Sequence, residues 1–102
     1  MKNSERIYSV KEITGFLLPL IKKYRADKAI LFGSYARNEA DKDSDIDVMI
    51  VGGMEFDPTD IFCIADDLNR VAQKNVDVYE ENEINHGSTL FNSIMREGIE
   101  IA

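Results

Sequence analysis

Three aspartates, Asp45, Asp47 and Asp77, fall inside short apolar stretches that alternate with period two, although aspartate is depleted from strands. In "DIDVMIV", Ile46, Val48 and Ile50 share one face, while Asp45, Asp47, Met49 and Val51 share the other. In "NVDVYE" (residues 75–80), Val76 and Val78 face one way and Asp77 the opposite way. Asp45 and Asp47, two residues apart, project from one face about 7 Å from each other. If the two strands pair, Asp77 joins them. Three partly buried carboxylates do not all stay ionised without compensation, because each raises the pKa of the others. A pair of divalent cations removes that cost, and an all-oxygen donor set selects magnesium or manganese. Alternatively the acids stand exposed on a sheet edge, where charge blunts aggregation. That reading suits one such charge and suits three, on two strands, poorly.

The rest of the chain has to form a scaffold around those strands. Ser9 followed three residues later by Glu12 forms a capping box. Ile13, Phe16, Leu17, Leu20, Ile21 and Tyr24 then recur at helical spacing, with Pro19 expected to kink the helix or shift its start. "KAILFG" is a short buried strand ended by Gly33. Gly52-Gly53 stops the "DIDVMIV" strand, and Asp57 with Pro58 provides an N-cap and first-turn proline. Ile61, Phe62, Ala65, Leu68, Val71 and Ala72 mark the next helix, with Cys63 read as a small core residue in "IFCIA". A polar loop, "ENEINHG", leads to a last helix near residues 88–96; Gly98 ends it and "IEIA" adds a short strand. The order helix, strand, short helix, strand, helix, strand, helix, strand predicts an α/β (α+β) domain: one small mixed β-sheet flanked by helices over residues 1–102.

Gly33-Ser34 adds a second chemical element. A strand ending in glycine, then a serine and a short helix (about residues 35–38), presents free N–H groups and a hydroxyl, a site suited to phosphates. Alone, the pair is more often a plain turn with an N-cap. Its weight comes from the ten residues between Ser34 and Asp45, which put a phosphate cradle and a metal grip at the ends of neighbouring strands.

Charge and composition exclude other classes. Hydrophobic content of 44% and charged content of 30% fit a folded globular chain rather than a disordered one. Nineteen acids against twelve Lys and Arg give a net charge of −7, whose field repels a nucleic-acid backbone. The basic clusters, Lys22-Lys23-Tyr24-Arg25 and Lys2 with Arg6, are short and read as solvated helix ends. One cysteine excludes an internal disulfide, the start "MKNSERIYSV" has no apolar leader, and no stretch approaches a membrane span. A cytoplasmic location with no membrane contact is expected. "DKDSDID" fails as an EF-hand, with Ile46 where glycine is needed and Gly52 where the bidentate Glu belongs. No Gly-Lys-Ser/Thr occurs, and His86, with no second His or Cys nearby, is not read as a zinc ligand.

Gly33-Ser34, ten residues, then Asp45-Ile46-Asp47, with a later strand acid at Asp77, resembles the polymerase-β-type nucleotidyltransferase superfamily. Within it, "LFGSYARNEADKDSDIDVMIV" is similar to the minimal nucleotidyltransferases, and the resemblance runs from "KAILFGS" to "IMREGIEIA". Asn38 departs from the glycine common at that position, and Asn tolerates left-handed backbone nearly as well. The resemblance implies a polymerase-β-like fold. It implies that Asp45 and Asp47 bind two Mg2+ ions on a nucleoside triphosphate, and that Asp77 shares one ion and activates the attacking hydroxyl. It also implies that Gly33, Ser34 and the backbone at Ser44 hold the β- and γ-phosphates, with Arg37 reaching the triphosphate. A surface salt bridge to Glu39 or Asp41 is the other reading of Arg37.

Relatives in this group resemble antitoxins that transfer AMP from ATP to a tyrosine of a HEPN-domain ribonuclease toxin. The resemblance therefore implies an adenylyltransferase and antitoxin in a hetero-oligomer with such a partner, without direct nucleic-acid binding. Larger relatives append a substrate domain, so a chain this short is expected to borrow its acceptor surface from the partner. Two rivals stay open: a non-catalytic module that neutralises its partner by occlusion, and a small-molecule nucleotidyltransferase.

Overall fold

A computed structural model describes residues 6–101; Lys2 of the second basic cluster lies outside them. The chain forms α1 (Val10–Tyr24), β1 (Lys28–Phe32), a 3-10 turn (Gly33–Tyr35), β2 (Ile46–Val51), α2 (Asp60–Ala72), β3 (Val76–Glu80), a second 3-10 turn (Glu81–Glu83), α3 (Thr89–Glu97) and β4 (Ile99–Ile101). The sheet order is β3-β2-β1-β4. β1 runs antiparallel to both β2 and β4, and β2 runs parallel to β3. This is the mixed sheet the sequence predicts. Among the described residues no helix is long and apolar enough to cross a membrane.

The alternation in the strands sorts the sheet into two unequal faces. Ala29, Leu31, Ile46, Val48, Ile50, Val76 and Ile101 point to one side and bury Ile13, Leu17 and Ile21 of α1 and Ile61, Ile64, Leu68 and Ala72 of α2. On the other side Ile30, Phe32 and Met49 form a smaller cluster with Ile84 and Ile94, with Val51, Tyr79 and Phe91 at the margin. That thinner face is the one that carries Asp47 and Asp77, in line with the period-two pattern.

The ends of α1 follow from local chemistry. Ser9 Oγ accepts the Glu12 N–H, and a Glu12 carboxylate oxygen accepts the Ser9 N–H, closing the capping box. Pro19 neither moves that start nor ends the helix, which runs unbroken to Tyr24 and terminates on a left-handed Arg25. α2 departs further from expectation. Asp57 does not cap it; the Asp57 carboxylate accepts from the Thr59 N–H and hydroxyl in a preceding turn, and the helix begins at Asp60. Its buried positions are Ile61, Ile64, Leu68, Asn69 and Ala72, so Phe62 and Val71 point outward and Cys63 is exposed instead of buried. The apolar run from Ile61 to Ile64 fills all sides of one turn, so it carries no phase of its own. At the end of α3, Gly98 is required by close packing, because a Cβ there would overlap Ile30 Cγ2 and the Ile94 carbonyl.

Asn69 fastens α2 to β3. Its Nδ2 donates to the Ala65 carbonyl at 2.7 Å and the Val76 carbonyl at 3.0 Å, while its Oδ1 accepts the Val76 N–H at 3.1 Å. The first residue of β3 is thus satisfied by a side chain on the edge where, among the described residues, no further strand pairs with it. Replacing Asn69 by Ala leaves buried backbone groups unpaired, at a cost of about 1–3 kcal/mol. Thermal unfolding of Asn69→Ala should therefore show a Tm lower by roughly 4 °C or more.

Candidate functional site

The site is built from the ends of β1, β2 and β3. Parallel register sets Asp47 directly opposite Asp77, and antiparallel register sets Asp47 opposite Phe32, the last residue of β1. Because β1 ends there, the chain turns at Gly33 immediately beside Asp47. Gly33 has φ +75°, a left-handed conformation, and a Cβ on it would overlap Asp47 Oδ2. Glycine is needed twice over at this position, for the turn and for the close approach of the carboxylate.

The short helix predicted over residues 35–38 instead begins at Gly33 as a 3-10 turn ending at Tyr35. The Ala36 and Arg37 N–H groups both donate to the Gly33 carbonyl at 3.1 Å, and the Glu39 N–H donates to the Ser34 carbonyl at 2.9 Å. Asn38 takes φ +59°, the left-handed backbone its residue type tolerates. Ser34 is half-buried, and its hydroxyl has no hydrogen-bond partner among the described residues.

The seven predicted site residues are not brought together equally. Asp47 and Asp77 form a close pair. Asp45 precedes β2, is exposed, and acts on Asp47 through its charge. Among the described residues no three His, Cys, Asp or Glu side chains stand gathered as a metal-holding group. The Ser44 N–H, expected to face phosphate, donates to the Asp41 carbonyl at 3.1 Å. The Ser44 hydroxyl accepts the Asp41 N–H at 2.9 Å and closes that turn. Asp41 is therefore a turn-forming acid, with a carboxylate that also accepts the Asp43 N–H. Arg37 donates from Nε to Glu39 at 2.9 Å and from a terminal nitrogen to Glu97 at 3.4 Å. Its charge also reaches Asp47 and favours the ionised carboxylate there.

Electrostatics single out Asp47. Burial raises its pKa from 3.8 to about 6, reinforced by the charges of Asp77 and Asp45 and by a shared hydrogen bond with Asp77. Tyr79, two residues beyond Asp77 on the same face, is shifted upward by burial and by the same two aspartates. It packs on Phe32 with ring centroids 5.6 Å apart. The donor set is hard oxygen throughout, the Arg37 charge offsets only part of the repulsion at Asp47, and Gly33 leaves room for Asp47 to approach the turn. These features fit a divalent cation.

Sequence reading misses two participants. Asn75 Nδ2 donates to Asp77 Oδ1 at 2.9 Å, and Glu97, far along the chain, reaches Arg37. Asn75 lies two residues from Asp77, a spacing at which an Asn can reach its neighbour, so that contact had a local signal; Glu97 had none. His86, not read as a ligand, stacks on Phe91 with centroids 4.2 Å apart.

The family model described as Polymerase beta, Nucleotidyltransferase matches residues 17–102. MJ0435 of Methanocaldococcus jannaschii, assigned as a protein adenylyltransferase, is 32% identical over 93 residues, spanning 91% of this chain and 98% of the relative. MJ0604 of the same organism, similarly assigned, is 51% identical over 49 residues, 46% of this chain and 49% of its own length. A solved structure described as a minimal nucleotidyltransferase shares the fold with a TM-score of 0.73 at 26% identity, covering 88% of this chain and 90% of that one. A toxin–antitoxin crystal structure with AMP-PNP gives a TM-score of 0.73 at 19% identity, covering 87% of this chain and 72% of that one, a likeness of fold.

The raised pKa of Asp47 has a consequence for stability. Between pH 3.8 and about 6 the folded state holds a proton that the unfolded state has released, so stability falls as pH rises through that window. Asp47→Asn removes the ionised form. Without divalent cation it should raise Tm above pH 6 by a few degrees, the gain being about 1 kcal/mol after solvent screening. The difference should vanish below pH 4. Mg2+ should raise the Tm of the wild type and leave that of Asp47→Asn nearly unmoved. Calorimetric scans at pH 3.5 and pH 8, with and without Mg2+, check each part.

Proposed function

Because the chain belongs to the polymerase beta nucleotidyltransferase family, we propose that it transfers AMP from ATP to a tyrosine hydroxyl of a partner HEPN-domain toxin and so acts as that toxin's antitoxin. The observation that carries the transfer chemistry is the in-register Asp47–Asp77 pair with the Gly33 turn pressed against it. A triphosphate needs anion-binding donors and charge neutralisation close together, and this corner offers residues for both. The choice of a protein acceptor is supported by MJ0435, a protein adenylyltransferase by assignment that the match spans almost completely. The choice of a toxin is supported by the shared fold with a toxin–antitoxin protein bound to AMP-PNP. A net charge of −7 favours a basic ribonuclease as partner and disfavours RNA as acceptor.

In this reading Asp45, Asp47 and Asp77 would hold two Mg2+ ions, which when bound neutralise the triphosphate and the oxygens that gain charge in an in-line displacement. The chain's own groups supply the rest. Gly33 and Ser34 receive the β- and γ-phosphates at the 3-10 turn, through backbone N–H groups and the Ser34 hydroxyl. Arg37 turns from Glu39 and Glu97 toward the triphosphate. Asp77, oriented by Asn75 Nδ2, takes the proton from the tyrosine hydroxyl. The tyrosine oxygen bonds to the α-phosphorus as the bond to pyrophosphate breaks, so the acceptor gains one AMP and pyrophosphate leaves. Ser44 is assigned to the turn with Asp41, because its N–H is already engaged there.

Intact-mass analysis of the co-purified partner after incubation with ATP and Mg2+ tests the reading. The expected result is a gain of one adenylate or more, lost when the accepting tyrosine is replaced by phenylalanine. Asp77→Asn should slow transfer by about 10²- to 10⁴-fold, and Asp47→Asn should abolish it. Partner that is never labelled yet stays neutralised by the Asp47→Asn chain would replace this mechanism with occlusion.

A further inference from the structure

Among the described residues, one buried cation has no role in the proposed reaction. Lys74, at the corner between α2 and β3, is 5% exposed. Its Nζ donates to the Tyr35 hydroxyl at 2.9 Å and to the Arg6 carbonyl at 3.1 Å, and lies 5.4 Å from the centroid of the Tyr35 ring. Among the described residues no carboxylate forms an ion pair with it. Burying an ammonium among neutral partners is costly, whereas methionine, similar in length, would fill the space without that penalty. A purely structural lysine here would be a poor solution to a packing problem.

Its partners indicate what the lysine holds. Tyr35, 4% exposed in the larger core, is the last residue of the 3-10 turn that carries Gly33 and Ser34. The two residues after Lys74 are also tied down. The Asn75 carbonyl accepts the N–H of Ile46 at the start of β2, the Asn75 side chain holds Asp77, and Asn69 grips both backbone groups of Val76. Residues 74–76 therefore form one junction. Asn75 sets the carboxylate side of the site, Val76 anchors β3 to α2, and Lys74 reaches across to the turn.

We propose that Lys74 and Tyr35 are positioning residues, their hydrogen bond fixing where the Gly33–Ser34 turn stands relative to Asp47 and Asp77. The proposal rests on the nucleotidyl-transfer reading above. Neither side chain touches the nucleotide. Tyr35 is held inside the core and Lys74 beneath it, so their effect passes through the turn. Gly33, at φ +75°, is the point about which that turn swings when the link is cut. Triphosphate affinity then falls, while proton removal by Asp77, held independently by Asn75, does not.

Titration of the full chain with AMP-PNP in Mg2+, by calorimetry well below Tm, tests this with Tyr35→Phe and Lys74→Met. Tyr35→Phe keeps the ring in the core and removes only the hydroxyl. Each variant should bind AMP-PNP about tenfold more weakly, a loss of about 1.4 kcal/mol, and the double variant should be no weaker than Lys74→Met alone. In transfer assays KM for ATP should rise by a similar factor while kcat stays within about twofold. Wild-type affinity in Tyr35→Phe, shown folded by circular dichroism, overturns the proposal even if Lys74→Met does not fold. Additive losses in the double variant overturn it as well, since two residues acting through one link cannot add. If the wild-type chain takes up no AMP-PNP, the nucleotidyl-transfer reading itself falls before any variant is compared.

Discussion

Two carboxylates facing each other across adjacent parallel strands repel, and this fold holds Asp47 against Asp77 in spite of it. Each neighbouring feature follows from that choice. The larger core binds α1 and α2 to the face of the sheet turned away from the acids. Its burial supplies the stability that the opposite face gives up. β3 is an edge strand, so the pairing with β2 is reinforced by Asn69 and by the Asn75 carbonyl at the entry to the strand. Gly33 lets the next segment pass within reach of Asp47 without a Cβ in the way. Remove the carboxylate pair and most of these devices lose their reason.

The two faces divide the work. One is a dry layer whose residues are interchangeable within limits of volume. The other keeps Phe32, Met49 and Tyr79 beside the acids, covered only in part by α3 and the Glu81–Glu83 turn. A thin cover leaves the carboxylates half in water, so Asp47 titrates near pH 6 instead of being neutralised outright. Full burial would have kept these acids protonated and made them useless as cation ligands. Full exposure would have removed the repulsion that a cation relieves.

Much of this was legible in the chain because period two and period 3.6 are properties of contiguous residues. The capping box at Ser9 and Glu12 and the alternating faces of β2 and β3 follow from local spacing, whereas the register that sets Asp77 opposite Asp47 appears only once the strands pair. What escaped depends on contacts between distant segments. α2 carries Ile61, Phe62, Cys63 and Ile64 in succession, and only packing against α1 and the sheet decides that Phe62 and Cys63 face outward. Asn69 and Lys74 are polar residues in buried positions, and a hydropathy pattern cannot distinguish them from surface residues without their partners Val76 and Tyr35. The Ser44 N–H could be assigned to phosphate only while its bond to the Asp41 carbonyl was unknown.

Arg37 shows how a resting contact bears on a proposed one. Its ion pairs with Glu39 and Glu97 agree with the plain reading of a surface residue: the Arg37 and Glu39 side chains are exposed and Glu97 is half-buried. Pairs of that kind contribute about 0–1 kcal/mol each, because water solvates the separated ions nearly as well. A triphosphate offers several charged oxygens to the same guanidinium, in bidentate geometry that two separate carboxylates do not reproduce. The carboxylates therefore hold Arg37 near the mouth of the site without binding it tightly. A weak restraint of this kind lowers the entropy lost when the side chain engages a ligand and adds little enthalpy to overcome. The salt bridge and the phosphate role are then successive states of one residue, and the first prepares the second.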